Sequence, residues 1–375
     1  MRINQMSVAN FKCFENYKFS FAPLTLLTGN NGTGKSSLVQ ALLLARYSAL
    51  NEPKFIPLND LFGLRLGHAA DVRSYNAKSD ILSIEIHDDL DDYKWTYASE
   101  GDPYDSLLLK IKTRPNVSEI NSISRHVFAQ RFTYLNTERL GPRETLELSS
   151  APNGHLSVGA RGEYVAQVIA SQEREQIREE FRFAPEKNDS KKIATTLLKQ
   201  CEAWLSDFVG NVEIRSEINS DTNQAYLRFK TGGLVRGNFH DWTRPSNTGF
   251  GLTYCLPIIV AGLLGSPGEI MLVENPEAHL HPRAQSKMGQ FLGRLAAGGL
   301  QIVIESHSDH ILNGIRLATV EQTHPLNCED VLIHFFANDS IEEINVDDRG
   351  GLSKWPQLFF DQSQRDLRRI IETRR

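Results

Sequence analysis

One run of residues, Gly29-Asn30-Asn31-Gly32-Thr33-Gly34-Lys35-Ser36, limits the folds open to this chain more than any other feature. Apolar residues at 24–28 lead into it, and strong helix formers without a breaker follow it at 37–46. Strand, glycine loop and helix in that order form a phosphate-binding context. The glycines let several N–H groups turn inward at a helix N-terminus, where they and the helix dipole attract phosphate oxygens. Lys35 supplies a point charge to the outer phosphates, and the Ser36 hydroxyl can ligate Mg²⁺. The pattern predicts a P-loop nucleotide-binding protein that takes ATP, with Asn30, Asn31, Gly32, Thr33, Gly34, Lys35, Ser36 and Ser37 at the nucleotide.

The rest of the chain is organised around that loop. Residues 3–14 alternate apolar and polar and read as a strand. Residues 81–86 and 95–97 alternate between Asp-rich turns and predict a small antiparallel sheet inserted after the first helix. Residues 155–210 read as largely helical, with a charged stretch at 173–182 and an amphipathic segment at 197–208, interrupted by a polar loop at 183–192. An apolar helix at 252–264 precedes a buried strand that ends in Glu274. A helix at 283–297 and a second buried strand at 301–304 follow. Alternating strands and helices argue for an α/β fold with a mostly parallel core sheet. A hairpin at 331–346 and a basic helix at 365–375 close the chain. The expected division is an N-terminal ATPase lobe (1–50), an inserted antiparallel β subdomain (51–145), a helical and strand segment (146–240), a C-terminal ATPase lobe (241–325) and a small C-terminal module (326–375).

Composition narrows the class. With 375 residues and 40% hydrophobic content the chain can bury a sizeable core. A formal net charge of -5 gives no overall basic field for nucleic acid, so any DNA contact needs a local patch. Cys13, Cys201, Cys255 and Cys328 lie far apart, without the spacing of a zinc site or redox dithiol, and fit a reduced compartment. The N-terminus has no signal-like apolar core, and the most apolar run, 256–264, is too short to span a bilayer. The expectation is a cytoplasmic protein without membrane contact.

A carboxylate at the end of a buried strand, as Glu274 is expected to be, can hold Mg²⁺ beside a phosphate loop. The run Glu274-Asn275-Pro276-Glu277-Ala278-His279-Leu280-His281-Pro282 resembles the Walker B region of the OLD-like (overcoming lysogenization defect) ATPases, which sit near RecF and SMC proteins in the ABC ATPase class. Asn10-Phe11-Lys12-Cys13-Phe14, the phosphate loop, and Ile304-Glu305-Ser306-His307-Ser308-Asp309-His310 are similar to the same group. Trp355-Pro356-Gln357-Leu358-Phe359-Phe360-Asp361 resembles a short C-terminal module on one branch of it.

The resemblance implies an ABC-type P-loop ATPase converting ATP and water to ADP and phosphate, with ATP and Mg²⁺ bound. Lys35 and the loop amides would stabilise charge, and Ser36 and Glu274 would hold the metal. His307 stands where the family has a histidine that contacts the γ-phosphate. The chain departs from most ABC-type ATPases at Asn275, where they carry a glutamate that polarises water. Asparagine cannot accept that proton, so either Glu277 supplies the carboxylate or turnover is slow. The segment 245–254 stands in the place of the signature motif, which implies that Asn247, Gly249 and Gly251 contact the ATP of a second subunit. Alternatively, Ser246, Asn247 or Thr248 simply caps a helix. His279 and His281 read as packing and hydrogen-bonding residues. Arg139 and Arg143 could reach phosphate or a partner subunit, or lie in a surface loop. The basic tail (Arg365, Arg368, Arg369, Arg374, Arg375) reads as a solvated helix face, with DNA or a partner protein as the other reading.

On this resemblance the expected function is an ATP-gated sensor or regulator in anti-phage defence, pairing head to tail as a homodimer or higher assembly and acting with a separate effector. A RecF-like DNA repair ATPase and a non-hydrolysing ATP-dependent scaffold are the rivals. A Toprim nuclease is not expected, since about 65 residues follow His310, fewer than such a domain needs. No long heptad run predicts an SMC-like coiled coil.

Overall fold

The computed structural model describes residues 2–51, 53–115, 128, 131–152, 155–183, 193–232, 242–321 and 325–373. The chain divides into two compact units: residues 1–131 with 328–375, and residues 132–327. The fold is α/β, as the sequence predicts.

The first unit carries a six-stranded antiparallel sheet in the order Phe14–Ser20, Ile3–Phe11, Leu82–Asp88, Asp92–Ala98, Leu108–Thr113, Phe55–Pro57. Strict alternation buries Ile84, Ile86, Tyr93, Trp95 and Tyr97 on one face. The sheet expected of the inserted segment is thus present, and the N-terminal hairpin extends it. Beside it, the strand Leu24–Gly29 runs parallel to Val331–Phe336, which pairs antiparallel with Ile341–Asn345. Leu24 through Thr28 and all of Val331–Phe336 are buried, as the strands of a covered parallel ladder must be. Helix Lys35–Asn51 follows the phosphate loop. Near the C-terminus Phe359 is fully buried, edge-on to Phe335 at 5.2 Å and to Trp355 at 5.1 Å. Leu358 and Phe360 hold left-handed backbones on either side of it (φ 67° and 51°). Helix Gln362–Thr373 is exposed along its described side chains, and Arg374 and Arg375 lie outside the described residues.

The second unit has parallel strands Phe132–Leu135, Ile270–Glu274 and Gln301–Glu305 in neighbouring register. Helix Phe250–Leu263 is buried nearly all round, which explains its continuous apolar sequence. Helices Pro282–Ala297 and Asp309–Val320 meet backbone to backbone. A Cβ on Gly314 would stand 2.0 Å from the Ser286 carbonyl oxygen, so only glycine permits that approach. A three-stranded antiparallel sheet, Thr145–Glu147, Gln224–Thr231, Val212–Asn219, packs with helices Val165–Gln172 and Leu197–Val209.

Two sequence expectations need correction. The charged stretch 173–182 is not a helix. The helix stops at Gln172, and only a 3-10 turn, Glu179–Phe181, forms. Tertiary contacts capture that backbone: Trp204 Nε1 donates to the Phe181 carbonyl (3.1 Å) and Arg294 Nε to that of Glu180 (2.5 Å). The strands expected somewhere within 146–240 form a hairpin at residues 212–231, whose position and pairing were not anticipated. The loop expected at 183–192 lies, apart from Phe183, outside the described residues.

Candidate functional site

In the first unit the phosphate loop is held at its base by the strand from the C-terminal part of the chain. Asn30 N donates to the Phe336 carbonyl (3.1 Å), and Asn30 Nδ2 donates to Asn338 Oδ1 (2.9 Å). Gly29 has φ 131°, and a Cβ there would stand 2.2 Å from the Phe336 oxygen. Lys35 is buried and folds back, its ammonium donating to the carbonyls of Gly29 (3.1 Å) and Asn30 (2.5 Å). Thr33 Oγ1 donates to Asn30 O (2.8 Å), closing the turn. Among the described residues no protein acceptor meets the amides of Asn31, Gly32, Thr33 or Gly34. The loop therefore presents a row of open donors at a helix start, together with the exposed Ser36 hydroxyl. Ser37 lies partly buried one residue further on.

In the second unit Glu274 ends its strand buried and oriented by donors. Tyr134 Oη donates to Oε1 (2.9 Å), and Thr137 donates to Oε2 through its hydroxyl (2.7 Å) and amide (3.3 Å). Burial, and then the neighbouring Glu274 carboxylate, push the Tyr134 phenol far above its ordinary pKa, so it remains a donor. Asn275 follows in a left-handed backbone, φ 45°, and its amide donates to the Glu305 carbonyl (2.8 Å).

Arg139 clamps this turn. Its Nη1 donates to the carbonyls of Glu274 (2.6 Å) and Asn136 (2.9 Å), and its Nη2 donates to that of Asn275 (2.6 Å). Burial lowers its pKa to about 10, opposed by the Glu277 and Glu274 carboxylates, and it stays charged at neutral pH. Arg139 is thus a buried strut rather than a surface-loop residue, while Arg143 is exposed.

Glu277 and His307 are brought together: the His307 amide donates to Glu277 Oε1 (2.7 Å). Glu277 Oε2 is buried without a hydrogen-bond partner among the described residues. The His307 side chain is exposed. Ser308 caps the next helix, accepting from the amides of His310 and Ile311, and its hydroxyl donates to Gln285 Oε1 (2.5 Å).

The signature-like segment forms a 3-10 turn, Pro245–Asn247, and then helix Phe250–Leu263 with Gly249 as cap. Neither Ser246, Asn247 nor Thr248 is the capping residue, and Gly249 makes no side-chain cap bond. Asn247 and Gly249 are exposed, so this helix start opens outward without a side-chain acceptor. A Cβ on Gly251 would stand 3.0 Å from the His279 carbonyl oxygen. His279, itself left-handed (φ 60°), lies against Tyr254 (4.4 Å between centroids) and Phe250 (5.4 Å). His281 caps helix Pro282–Ala297 through Nδ1. Both histidines therefore have structural contacts, and among the described residues no cluster of three or more His, Cys, Asp or Glu could hold a metal ion.

Sequence reasoning missed Tyr134, Thr137 and Gln285, which orient the acidic strand end and the His307 loop. The polar run 134–143 held the signal for the first two, but no periodicity assigns a polar side chain to a carboxylate 137 residues away.

Residues 143–313 match the family model described as "AAA domain, putative AbiEii toxin, Type IV TA system". Residues 326–370 match a family described as a protein of unknown function, DUF3696. No curated protein matches the chain. Among solved structures it is similar to an SMC head bound to the C-terminal winged-helix domain of ScpA. That likeness has 14% identity and a TM-score of 0.48, and covers 97% of this chain and 100% of that one. A Thermotoga maritima SMC head domain shows 11% identity and a TM-score of 0.43, covering 92% and 100%. A Pyrococcus furiosus SMC head with an extended coiled coil, bound to the C-terminal domain of ScpA, shows 12% identity and a TM-score of 0.48, covering 98% and 99%. Likenesses at this level carry no argument about activity. Among the described residues no helix is long and apolar enough to cross a membrane. Residues 143–313 thus match an AAA domain model that includes Glu274, Glu277 and His307, while the phosphate loop of residues 29–36 lies outside the match and presents open donors among the described residues.

Proposed function

We propose that the chain binds ATP at residues 29–36 and hydrolyses it, and that ATP gates its assembly. The observation that carries this reading is the phosphate loop: four successive amides without protein acceptors among the described residues, a buried lysine and the exposed Ser36 at one helix start. On nucleotide binding, Lys35 exchanges the carbonyls of Gly29 and Asn30 for the outer phosphates. The loop amides and Lys35 stabilise charge on the transferring phosphoryl group. The oxygens of Ser36 and Glu274 are hard donors suited to Mg²⁺, which is usually held by one or two protein oxygens with phosphates and water. When bound, that ion neutralises phosphate charge. Glu277, with one oxygen on the His307 amide and the other without a hydrogen-bond partner among the described residues, serves as proton acceptor for water, while Asn275 orients it. His307 reports the terminal phosphate.

The outward helix start at Gly249, with Asn247 and Gly251 beside it, receives the ATP of a second copy, which makes nucleotide the link between heads. The resemblance to OLD-like ATPases supports an ATP-gated regulator in anti-phage defence that acts with a separate effector in the cytoplasm. A RecF-like DNA role requires a basic groove as well.

The test is solution mass with ATP and Mg²⁺, with and without Lys35→Ala, alongside phosphate release. An assembly that forms with ATP and decays as phosphate appears supports the reading. An assembly indifferent to ATP, with no release, replaces it with a structural nucleotide. An ATP-dependent assembly that never releases phosphate favours the scaffold reading, which Asn275 supports.

A further inference from the structure

Among the described residues the strand Val212–Asn219 is the outer strand of its three-stranded sheet, paired with Gln224–Thr231. In an antiparallel ladder the main-chain groups of alternate residues point to the partner strand and those between point away. The amides of Val212 and Ile214 point away. They donate to Ser206 Oγ (3.0 Å) and Glu202 Oε1 (3.0 Å), both on helix Leu197–Val209. That helix therefore closes the first half of the open edge. Ser216 and Ile218 continue the same alternation, and no acceptor meets their amides among the described residues. A groove of ≈ 920 Å³ runs along this second half, lined by Ser216, Ile218, Asn219 and Arg228, with Ala170 of helix Val165–Gln172. Ile218 is 41% exposed beside it.

The charges at this edge are unbalanced in one place. Arg215 and Arg228 stand directly opposite each other across the two strands, an arrangement of like charges that costs stability. Arg215 is partly neutralised by Glu217, to which its Nε donates at 2.8 Å. Asp221, the other acid on the groove, sits in the exposed turn beyond the strand. Arg228 donates only to the carbonyl of Leu227 (2.9 Å) and has no carboxylate partner among the described residues.

We propose that the edge at residues 215–219 receives an extended, acidic segment of a partner protein, which adds a fourth strand to the sheet. Its main chain meets the open groups of Ser216 and Ile218. An Asp or Glu opposite Arg215 completes a row with Arg228, and an apolar side chain covers Ile218. A second copy pairing antiparallel about Ser216 sets Arg215 against Glu217 but brings Arg228 no carboxylate, so it matches the row less well than an acidic segment.

A displayed library of random linear peptides, panned against the whole chain, supplies the probes. The expected binders are rich in Asp, Glu and β-branched residues. Ile218→Pro removes one outward amide without touching the ladder, and Arg228→Gln removes the unmatched charge. Each should weaken binding about tenfold or more, with nucleotide binding and circular dichroism unchanged. If Ile218→Pro does not fold, main-chain N-methylation of the peptide at the residues facing Ser216 and Ile218 gives the same readout. Three outcomes overturn the proposal: no peptide is recovered; recovered peptides bind both variants as tightly as the unmutated chain; or the edge proves occupied by a second copy, seen as a doubled mass that Ile218→Pro abolishes.

Discussion

Arg139 offers the sharpest test of how the acidic strand end is held. Its guanidinium makes three charge-assisted bonds to carbonyls, at 2.6, 2.6 and 2.9 Å, and two of those carbonyls flank the left-handed Asn275. Hydrogen bonds to charged groups contribute about 1.5–3 kcal/mol each, so the gross value of the three is roughly 4.5–9 kcal/mol. Burying the guanidinium offsets part of that, and losses on breaking a buried charged cluster run at about 3–5 kcal/mol. Arg139→Ala should cost that much, read as a lowered urea midpoint by circular dichroism. It leaves two strand-end carbonyls unmatched in the interior and frees Asn275 to relax. Phosphate release should fall with it even at temperatures where the variant is fully folded. Arg139→Lys keeps the charge, but a single ammonium cannot span the same three carbonyls, so it should recover under half of the loss. A loss below about 1 kcal/mol for Arg139→Ala, with phosphate release intact, would refute the strut.

Three further outcomes follow from the same geometry. Glu277→Gln keeps the acceptor for the His307 amide but removes the base, so kcat should fall about 10²–10⁴-fold with little change in ATP affinity; an unchanged kcat removes Glu277 from that role. Burial holds the His334 imidazole below the usual histidine range, with Nε2 2.8 Å from the Ser20 carbonyl. Its contribution is therefore fully present above pH ~6.5 and is lost as pH falls through the folded value, at up to ~1.4 kcal/mol per pH unit. Urea titrations below pH ~6.5 should show this slope, and His334→Gln should flatten it. Gly314→Ala forces apart two helices whose backbones touch, and should lower stability by about 1–3 kcal/mol in the same titration.

Much of this was legible because it is local. The glycine spacing at 29–36, the alternation at 82–98 and the apolar run ending in Glu274 each encode their element within a few residues. The charged stretch 173–182 was misread because helix propensity is a weak preference, and the packing of Phe181, Trp204 and Arg294 overrode it. The partner of the phosphate-loop strand was not legible either. Residues 331–346 show a hairpin, but nothing in their pattern says that Val331–Phe336 lies in register with Leu24–Gly29. At the site the residue types were readable, and their orientation was not. That Tyr134 and Thr137 aim Glu274, or that Arg139 is interior, depends on pairings between strands far apart in sequence.

The register of Val331–Phe336 beside Leu24–Gly29 also bears on biosynthesis. The loop emerges from the ribosome long before Phe336, the residue whose carbonyl anchors Asn30. A nascent chain must therefore carry its glycine loop without that anchor until residue 336 has been added, and such long-range pairing is slow to close. Nucleotide cannot serve as an early folding template here; competence to bind it should appear abruptly, once residue 336 has cleared the exit tunnel. Ribosome-stalled chains cut just before and just after that strand should differ in ATP capture, although both contain the whole glycine motif.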